Sequence, residues 1–185
     1  MRFLLFVLVI FSSCNKRDKV IKLNIKAMSF HNKDYYNIKS LDSGIYYLNQ
    51  AIELDKNYYN TYENMIKLLR DKNDYKGMIS TLKIMQSLNP QNSFLVIREA
   101  QVFELLGDTI TSKKLYSDGI EKFKEVINDD SGFDLRQEYF MSLFLSGNDK
   151  LAVEEIKSMY KKYPYKTKTL VSFLENSNFW ISILK

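Results

Sequence analysis

Two stretches that lie 34 residues apart decide the fold, Ile45–Asn57 (IYYLNQAIELDKN) and Ile79–Gln91 (ISTLKIMQSLNPQ). Shifting one onto the other brings similar residues together, namely Ile45 with Ile79, Leu48 with Leu82, Leu54 with Leu88, and Asp55 with Asn89. In each stretch the apolar residues recur three or four positions apart, which predicts an amphipathic helix. A period of this length indicates a helical-repeat architecture.

The turns between the predicted helices follow the same period. Asn73-Asp74 lies 34 residues before Gly107-Asp108, and Gly147-Asn148-Asp149 forms a third turn of this kind. Glycine and asparagine tolerate the left-handed backbone conformation that closes a helix. We therefore expect one helix to end and the next to begin at each of these three places.

This pattern resembles the tetratricopeptide repeat, in which a pair of antiparallel helices ends in a Leu-Asp-Pro-Asn-like turn. Ala100 and Ala152 stand at the small-residue positions where the paired helices of that family approach closely. The resemblance covers residues 41–166. It implies an all-α, tetratricopeptide-like helical-repeat solenoid of about three and a half repeats plus a C-terminal capping helix. An irregular helical bundle is the alternative, and the lack of period-two alternation with hairpin turns disfavours a strand-rich fold.

The predicted repeats span residues 41–58, 59–92, 93–132 and 133–166, and a cap follows at 167–185. The first is a half repeat, because the residues before Leu41 lack a good partner helix. Pro90 and Pro164 are 74 residues apart, so the third repeat carries about six extra residues, in a longer second helix or in the loop 128–132. The cap would cover the apolar face that the last repeat leaves exposed.

The first fourteen residues resemble a bacterial lipoprotein signal. A short basic start precedes nine apolar residues, Phe3–Phe11, and then Ser12-Ser13-Cys14. Nine apolar residues suit a secretory signal peptide, whereas a membrane-spanning helix needs about 20. In the lipobox family, which this sequence resembles in a relaxed, Bacteroidetes-like form with Phe11 in place of Leu, the cysteine receives lipid chains such as palmitate. The resemblance implies a signal peptide at 1–13 and lipidation at Cys14. An ordinary secretory signal without lipid is the alternative.

Residues 14–40 are predicted to be a polar tether that is partly ordered against the domain. Surface-export signals of such lipoproteins tend to be acidic directly after the cysteine, and Asn15-Lys16-Arg17-Asp18 is not. The expected location is therefore the outer membrane, facing the periplasm.

Composition excludes several classes of site. One cysteine and one histidine, His31, give no disulfide framework, no Cys-rich zinc site and no recognisable catalytic triad. We therefore predict no cofactor, no metal and no enzymatic activity. An envelope hydrolase using carboxylates, with Asp129-Asp130 or Glu154-Glu155, is the disfavoured alternative.

The net charge of +5 is expected to be spread over a solvated surface, and no nucleic-acid partner is predicted. The densest basic run is Lys16, Arg17 and Lys19. A weak attraction to anionic lipid headgroups is the alternative interpretation of that run.

The family resemblance implies a concave groove, lined by the first helix of each repeat, that holds an extended peptide or a partner helix. Mapping its inward positions onto this sequence selects eleven residues: Asn60, Glu63, Lys67, Arg70, Phe94, Ile97, Gln101, Glu104, Gln137, Met141 and Phe144. Such a groove would be polar at one end and apolar at the other. The predicted function is a membrane-anchored scaffold that binds another envelope protein. Packing of the apolar residues within the domain, and a secreted protein without lipid, are the alternatives.

Overall fold

The computed structural model describes the backbone of residues 2–33 and 37–174, and the side chains of residues 16–32 and 37–171. These residues form nine α-helices and no strand: α1 Arg2–Lys33, α2 Ile38–Leu54, α3 Tyr59–Asp71, α4 Tyr75–Leu88, α5 Phe94–Leu105, α6 Thr109–Val126, α7 Phe133–Leu145, α8 Asp149–Lys162 and α9 Pro164–Leu174. The all-α prediction is confirmed. The part of the predicted cap after residue 174 lies outside the described residues.

The helices belong to two compact units, residues 1–91 and residues 92–185, which we call the N-terminal and C-terminal halves. Each half is described by itself. The N-terminal half contains α1 to α4, and the C-terminal half contains α5 to α9.

Three turns close the first helix of a pair in the same way. Asn73, Gly107 and Gly147 all have a left-handed backbone, with φ of 58°, 79° and 74°. In each turn this residue's amide bonds the carbonyl three positions back and the next amide bonds the carbonyl five positions before it, over 2.8–3.1 Å. This pair of bonds is the Schellman closure. Because it recurs after 34 and then 40 residues, the tetratricopeptide-like helical repeat is confirmed.

The extra length of the third repeat lies mainly in its second helix. α6 has 18 residues, whereas its counterparts α4 and α8 have 14 each. Asp108 begins α6 by accepting a hydrogen bond from the amide of Thr111, as Asp74 does for α4 from Gly77. The longer helix was one of the two alternatives left open by the sequence.

The region predicted to be a polar tether is helical. Residues 14–33 belong to α1, and Val20 and Ala27 are fully buried in the N-terminal half. A Cβ atom at Gly44 of α2 would lie 3.1 Å from the carbonyl oxygen of Ala27, so α1 and α2 approach backbone to backbone. The tether prediction is therefore wrong. α1 completes the first repeat, and the described chain has four helix pairs followed by α9.

The core of the C-terminal half is built from aromatic and aliphatic side chains of α5 to α8. Phe123 and Phe140 are its largest fully buried members. Ala100 and Ala152 are fully buried in the same cluster, at the small-residue positions that the sequence indicated. Leu170 of α9 packs against this cluster, which fixes α9 beside α8.

Candidate partner-binding groove

The C-terminal half has an open groove between α7, the first helix of its last pair, and α9. We call it the α7–α9 groove, a cavity of about 400 Å³ lined by Phe133, Gln137, Lys166, Thr169 and Leu170. Residues three or four positions apart share one face of a helix. Phe133 and Gln137 therefore line one wall from α7, and the three residues of α9 line the other.

The floor of the α7–α9 groove is apolar and its rim is polar. The ring of Phe133 makes an edge contact with Tyr163 at 5.7 Å, and the ammonium of Lys166 lies 5.2 Å from the Phe133 ring centre. Leu170 is half-buried and belongs to the same lining. The amide of Gln137 and the hydroxyl of Thr169 complete the rim. The groove can therefore take an apolar side chain below and a carboxylate or backbone carbonyl above.

The loop before α7 is held firmly, which positions Phe133. The hydroxyl of Tyr163 donates a hydrogen bond of 2.9 Å to the carbonyl of Ser131. The ammonium of Lys162 also donates to the carbonyl of Asp129. Both donors come from the end of α8, so the start of α7 and the start of α9 are tied to the same point.

A second hollow of about 320 Å³ lies between α6 and the turn before α8. Its wall carries Glu121 and Lys124, which pair with each other at 2.7 Å and so satisfy each other's charge. Tyr116 also lines it and donates to Glu104 at 2.9 Å. Burial, followed by this bond to Glu104, raises the pKa of Tyr116, which therefore stays neutral and acts as a donor. Glu121, Lys124 and Tyr116 of this hollow are therefore already paired within the protein.

The predicted binding residues of the C-terminal half divide into three groups. Gln137 lines the α7–α9 groove. Glu104 is exposed and Gln101 is half-buried, both on α5. The apolar residues are half-buried and pack partly against the core cluster; they are Phe94, Met141 and Phe144. Their role in binding stays a prediction.

The assignment of Ile97 to the groove is wrong. Its side chain is fully buried in the core cluster. A Cβ atom at Gly119 would lie 2.5 Å from Ile97 Cδ1, so Ile97 fills the space that the glycine of α6 leaves open. Ile97 packs helix against helix and cannot contact a partner.

The predicted residues of the N-terminal half lie along one face of α3. Asn60, Lys67 and Arg70 are exposed, and Glu63 is half-buried. The Nε atom of Arg70 lies 3.5 Å from Asp71 Oδ1, so its charge is partly compensated. This face is polar, as expected, and whether it binds a partner stays a prediction.

The lining contributed by α9 was not predicted, because α9 was assigned only a capping role. Lys166, Thr169 and Leu170 stand at positions i, i+3 and i+4 after Pro164. Proline is favoured in the first turn of a helix, so Pro164 indicated where α9 begins. The spacing indicated that these three residues share one face of it. Phe133 was also missed, although it begins α7.

Of the adjacent acidic pairs, Glu154 and Glu155 have different surroundings. Glu155 accepts hydrogen bonds of 2.8 and 3.1 Å from Arg136, whose Nη2 also donates to Ser158 at 2.7 Å. Burial raises the pKa of Glu155, and the guanidinium opposes that rise. Glu154 is exposed. A carboxylate held by a buried guanidinium is a structural ion pair, and Glu154 does not share it.

Two further properties concern the described part of the chain only. It contains no group of three residues that could hold a metal ion. It also contains no helix with the length and apolar character needed to span a membrane.

No protein-family model and no curated protein matches this chain. Among solved structures it is similar to the crystal structure of the MamA protein, at 17% identity and a TM-score of 0.47, over 80% of this chain and 75% of that one. It is also similar to YrrB, described as a TPR protein with an unusual peptide-binding site, at 15% identity and a TM-score of 0.46, over 94% of this chain and 88% of YrrB.

Proposed function

We propose that this chain is a protein-interaction scaffold, lipid-anchored in the bacterial cell envelope, and that the α7–α9 groove binds an extended peptide or a helix of another envelope protein. The observation that carries the proposal is the open apolar floor of the groove beneath a polar rim. Recognition surfaces combine a central apolar contact with polar groups around it. Phe133 and Leu170 provide the first, and Gln137 and Lys166 the second.

The expected occupant is an amphipathic segment with an acidic residue. An apolar side chain of the partner would displace water from Phe133 and Leu170. A carboxylate one turn away would pair with Lys166, which is exposed and lies over the Phe133 ring. The α3 face with Lys67 and Arg70 is a further candidate for an acidic partner, and it is assigned to the N-terminal half alone.

The anchor part of the proposal depends on the sequence around Cys14, a lone cysteine directly after an apolar stretch and two serines. Two or more acyl chains hold a protein stably in a bilayer, because each buried methylene contributes about 0.8 kcal/mol. The favoured site is the outer membrane, facing the periplasm. Mass spectrometry of the mature N-terminus tests the anchor. We expect Cys14 to carry a diacylglycerol on its sulfur and an acyl chain on its amine, whereas an unmodified, freely soluble protein would support a secreted repeat protein without lipid.

Site-specific photocrosslinking tests the groove. A photoreactive side chain replaces Gln137, and a matched one replaces the exposed Lys161 of α8, outside the groove. We expect a discrete crosslinked partner at position 137 alone. Adding Leu170→Asp should remove at least about nine-tenths of that adduct, because burying a leucine contributes about 1.5–3 kcal/mol. Tyr165→Asp, at an 88% exposed residue of the same helix, should leave it unchanged. Equal adducts at both positions, or insensitivity to Leu170→Asp, would refute the groove.

A further inference from the structure

The positive charge of the chain is concentrated in one helix. α1 contains seven of the 27 basic residues and one of the 22 acidic residues. The remaining residues hold 20 basic and 21 acidic side chains, so they are close to neutral. The expectation that the charge is spread along the chain is therefore wrong. A helix that carries the whole excess charge of a protein is an electrostatic feature in its own right.

The fold turns part of this charge outward. Val20, Asn24 and Ala27 form the buried stripe of α1. Lys19, Lys22 and Lys26 are exposed, and their spacing puts them on the other side of the helix; we call them the cationic face. Ile25 lies beside them and is 65% exposed.

Within the described residues, no acidic side chain neutralises the cationic face. Neither Lys19 nor Lys22 takes part in an ion pair, and Asp18 is the single acidic residue of α1. The ammonium of Lys26 lies 4.3 Å from the ring centre of Tyr47, which attracts a cation but does not cancel its charge. The face is therefore available to an external anion.

We propose that the cationic face of α1 rests on anionic phospholipid headgroups, so that the repeat domain lies against the membrane and is not suspended above it. This inference rests on the proposed lipid anchor at Cys14. At 1.5 Å per helical residue, Lys19 and Lys26 lie about 8 and 18 Å along α1 from that cysteine. Val20 is already buried in the domain, so no long flexible segment separates the anchor from the fold.

Electrostatic attraction and apolar insertion both favour contact between the cationic face and the membrane surface. A lysine near an anionic membrane surface contributes about 1 kcal/mol, and the attraction falls off within a Debye length of about 8 Å. Lys26 lies about 18 Å along α1 from Cys14, so all three lysines fall inside that range only when α1 lies along the bilayer, as proposed. The exposed Ile25 can insert among the headgroups, as apolar residues of interfacial helices do.

A nucleic acid is the other polyanion that could attract this face, and the observations favour it less. Binding to single strands uses aromatic side chains on which bases stack. The cationic face contains none, and Tyr47 and Tyr58 lie under Lys26 and Arg17.

Vesicle binding by the processed chain, residues 14–185 with Cys14→Ser, tests the inference without any lipid on the protein. We compare neutral phosphatidylcholine vesicles with vesicles that contain about 30% phosphatidylglycerol, at low salt. The triple variant Lys19→Gln, Lys22→Gln, Lys26→Gln removes the face. The triple variant Lys122→Gln, Lys157→Gln, Lys161→Gln removes the same charge from exposed sites of the C-terminal half. Circular dichroism and thermal melting check that each protein is folded.

The chain that carries only Cys14→Ser should bind the anionic vesicles and not the neutral ones. At about 1 kcal/mol per lysine, loss of the face should weaken binding about 100-fold, whereas the control should stay within about threefold. Equal losses in both variants, binding that ignores lipid charge, or tighter lysine-dependent binding to a single-stranded oligonucleotide would overturn the inference. Mass spectrometry of the mature protein measures lipidation of Cys14 separately. A wrong anchor proposal can therefore be distinguished from a wrong proposal for the cationic face.

Discussion

The two halves of the molecule stack their first helices with different chemistry. In the N-terminal half, Asn24 of α1 donates 2.9 Å hydrogen bonds to Val20 and to Thr61 of α3, and accepts one of 2.9 Å from Asn64. In the C-terminal half, α5 and α7 share an apolar cluster that includes Ile97 and Phe140. Directional hydrogen bonds are satisfied in one register of the two helices. Apolar packing is satisfied by any arrangement that fills the space between them. The comparison shows that neighbouring first helices of a repeat can be held together by specific hydrogen bonds or by apolar packing.

The largest effect should come from a buried ion pair of the C-terminal half, Arg136 with Glu155. Arg136→Ala would leave a half-buried carboxylate without its cation, and removal of one partner of a buried pair costs about 3–5 kcal/mol. We expect a loss of at least about 3 kcal/mol in the free energy of unfolding, measured by urea denaturation.

The double variant Arg136→Met, Glu155→Leu is the control, because apolar residues of similar volume often replace a buried pair without loss. It should lie within about 1 kcal/mol of the unsubstituted protein. If both proteins were equally weakened, the C-terminal half would depend on polar specification as much as the N-terminal half, and the comparison would break.

The second prediction concerns the hydrogen-bonded residues Asn24, Thr61 and Asn64 between α1 and α3, which we call the polar seam. Asn24→Ala removes the amide and leaves the buried Thr61 and the half-buried Asn64 without their shared partner. We expect a loss of about 2 kcal/mol by urea denaturation, since each unsatisfied buried group costs about 1–3 kcal/mol. Asn49→Ala, at an exposed position of α2, should change stability by less than about 0.5 kcal/mol. A cost below that limit for Asn24→Ala would show that the seam does not specify α1.

The third prediction compares two glycines at close helix contacts. A Cβ at Gly44 would lie 3.1 Å from the backbone oxygen of Ala27 and 2.7 Å from Leu68 Cδ1, whereas at Gly119 the nearest atom is the terminal methyl of Ile97. Alanine gains about 1 kcal/mol of helix propensity over glycine. Backbone cannot rotate away, whereas the buried Ile97 side chain, with Cδ1 at 2.5 Å and Cγ1 at 3.0 Å, can shift in part. Gly44→Ala should therefore destabilise by about 1 kcal/mol and Gly119→Ala by less.

Thermal melting of the two alanine variants side by side measures this difference. The reverse order, with Gly119→Ala the more damaging, would mean that the apolar half is packed more rigidly than the polar one. That result would reverse the expected difference between the two halves.

The smallest effect concerns Glu138 of α7. Burial, followed by repulsion from Asp134, raises the pKa of its carboxyl above 4.5. The folded state therefore binds this proton more tightly than the unfolded state, and stability falls as pH rises through the interval above 4.5. Glu138→Gln should raise stability by a few tenths of a kcal/mol, about the scale of exposed charge effects, at pH 7 and not at pH 4. A gain of equal size at both pH values would contradict the assignment.

The periodic and small-residue signals predicted the middle of the chain well, and the polar seam explains where they failed. Gly107 and Gly147 marked the turns because only certain residues accept a left-handed backbone. α1 was missed as a partner helix because Asn24 interrupts its buried stripe. The partners of Asn24 lie 37 and 40 residues away, and no local pattern contains them.

Part of the candidate site was predicted wrongly for a similar reason. Ile97 occupies a register position typical of a groove residue, but Gly119 opens a space on the other side that the isoleucine fills. Gln137 was predicted and does line the α7–α9 groove. Lys166 and Leu170 were not, because the role of α9 depends on packing against α8 and not on the repeat period.

The longer α6 has a consequence for how such chains change over evolutionary time. Its four additional residues make about 1.1 turns, which lengthen the helix by about 6 Å but rotate its far end by only about 40°. Inner and outer sides are preserved across the insertion, whereas two additional residues would have exchanged them. Viable insertions and deletions in these helices should therefore come in steps of one helical pitch, leaving intermediate lengths to the connecting loops.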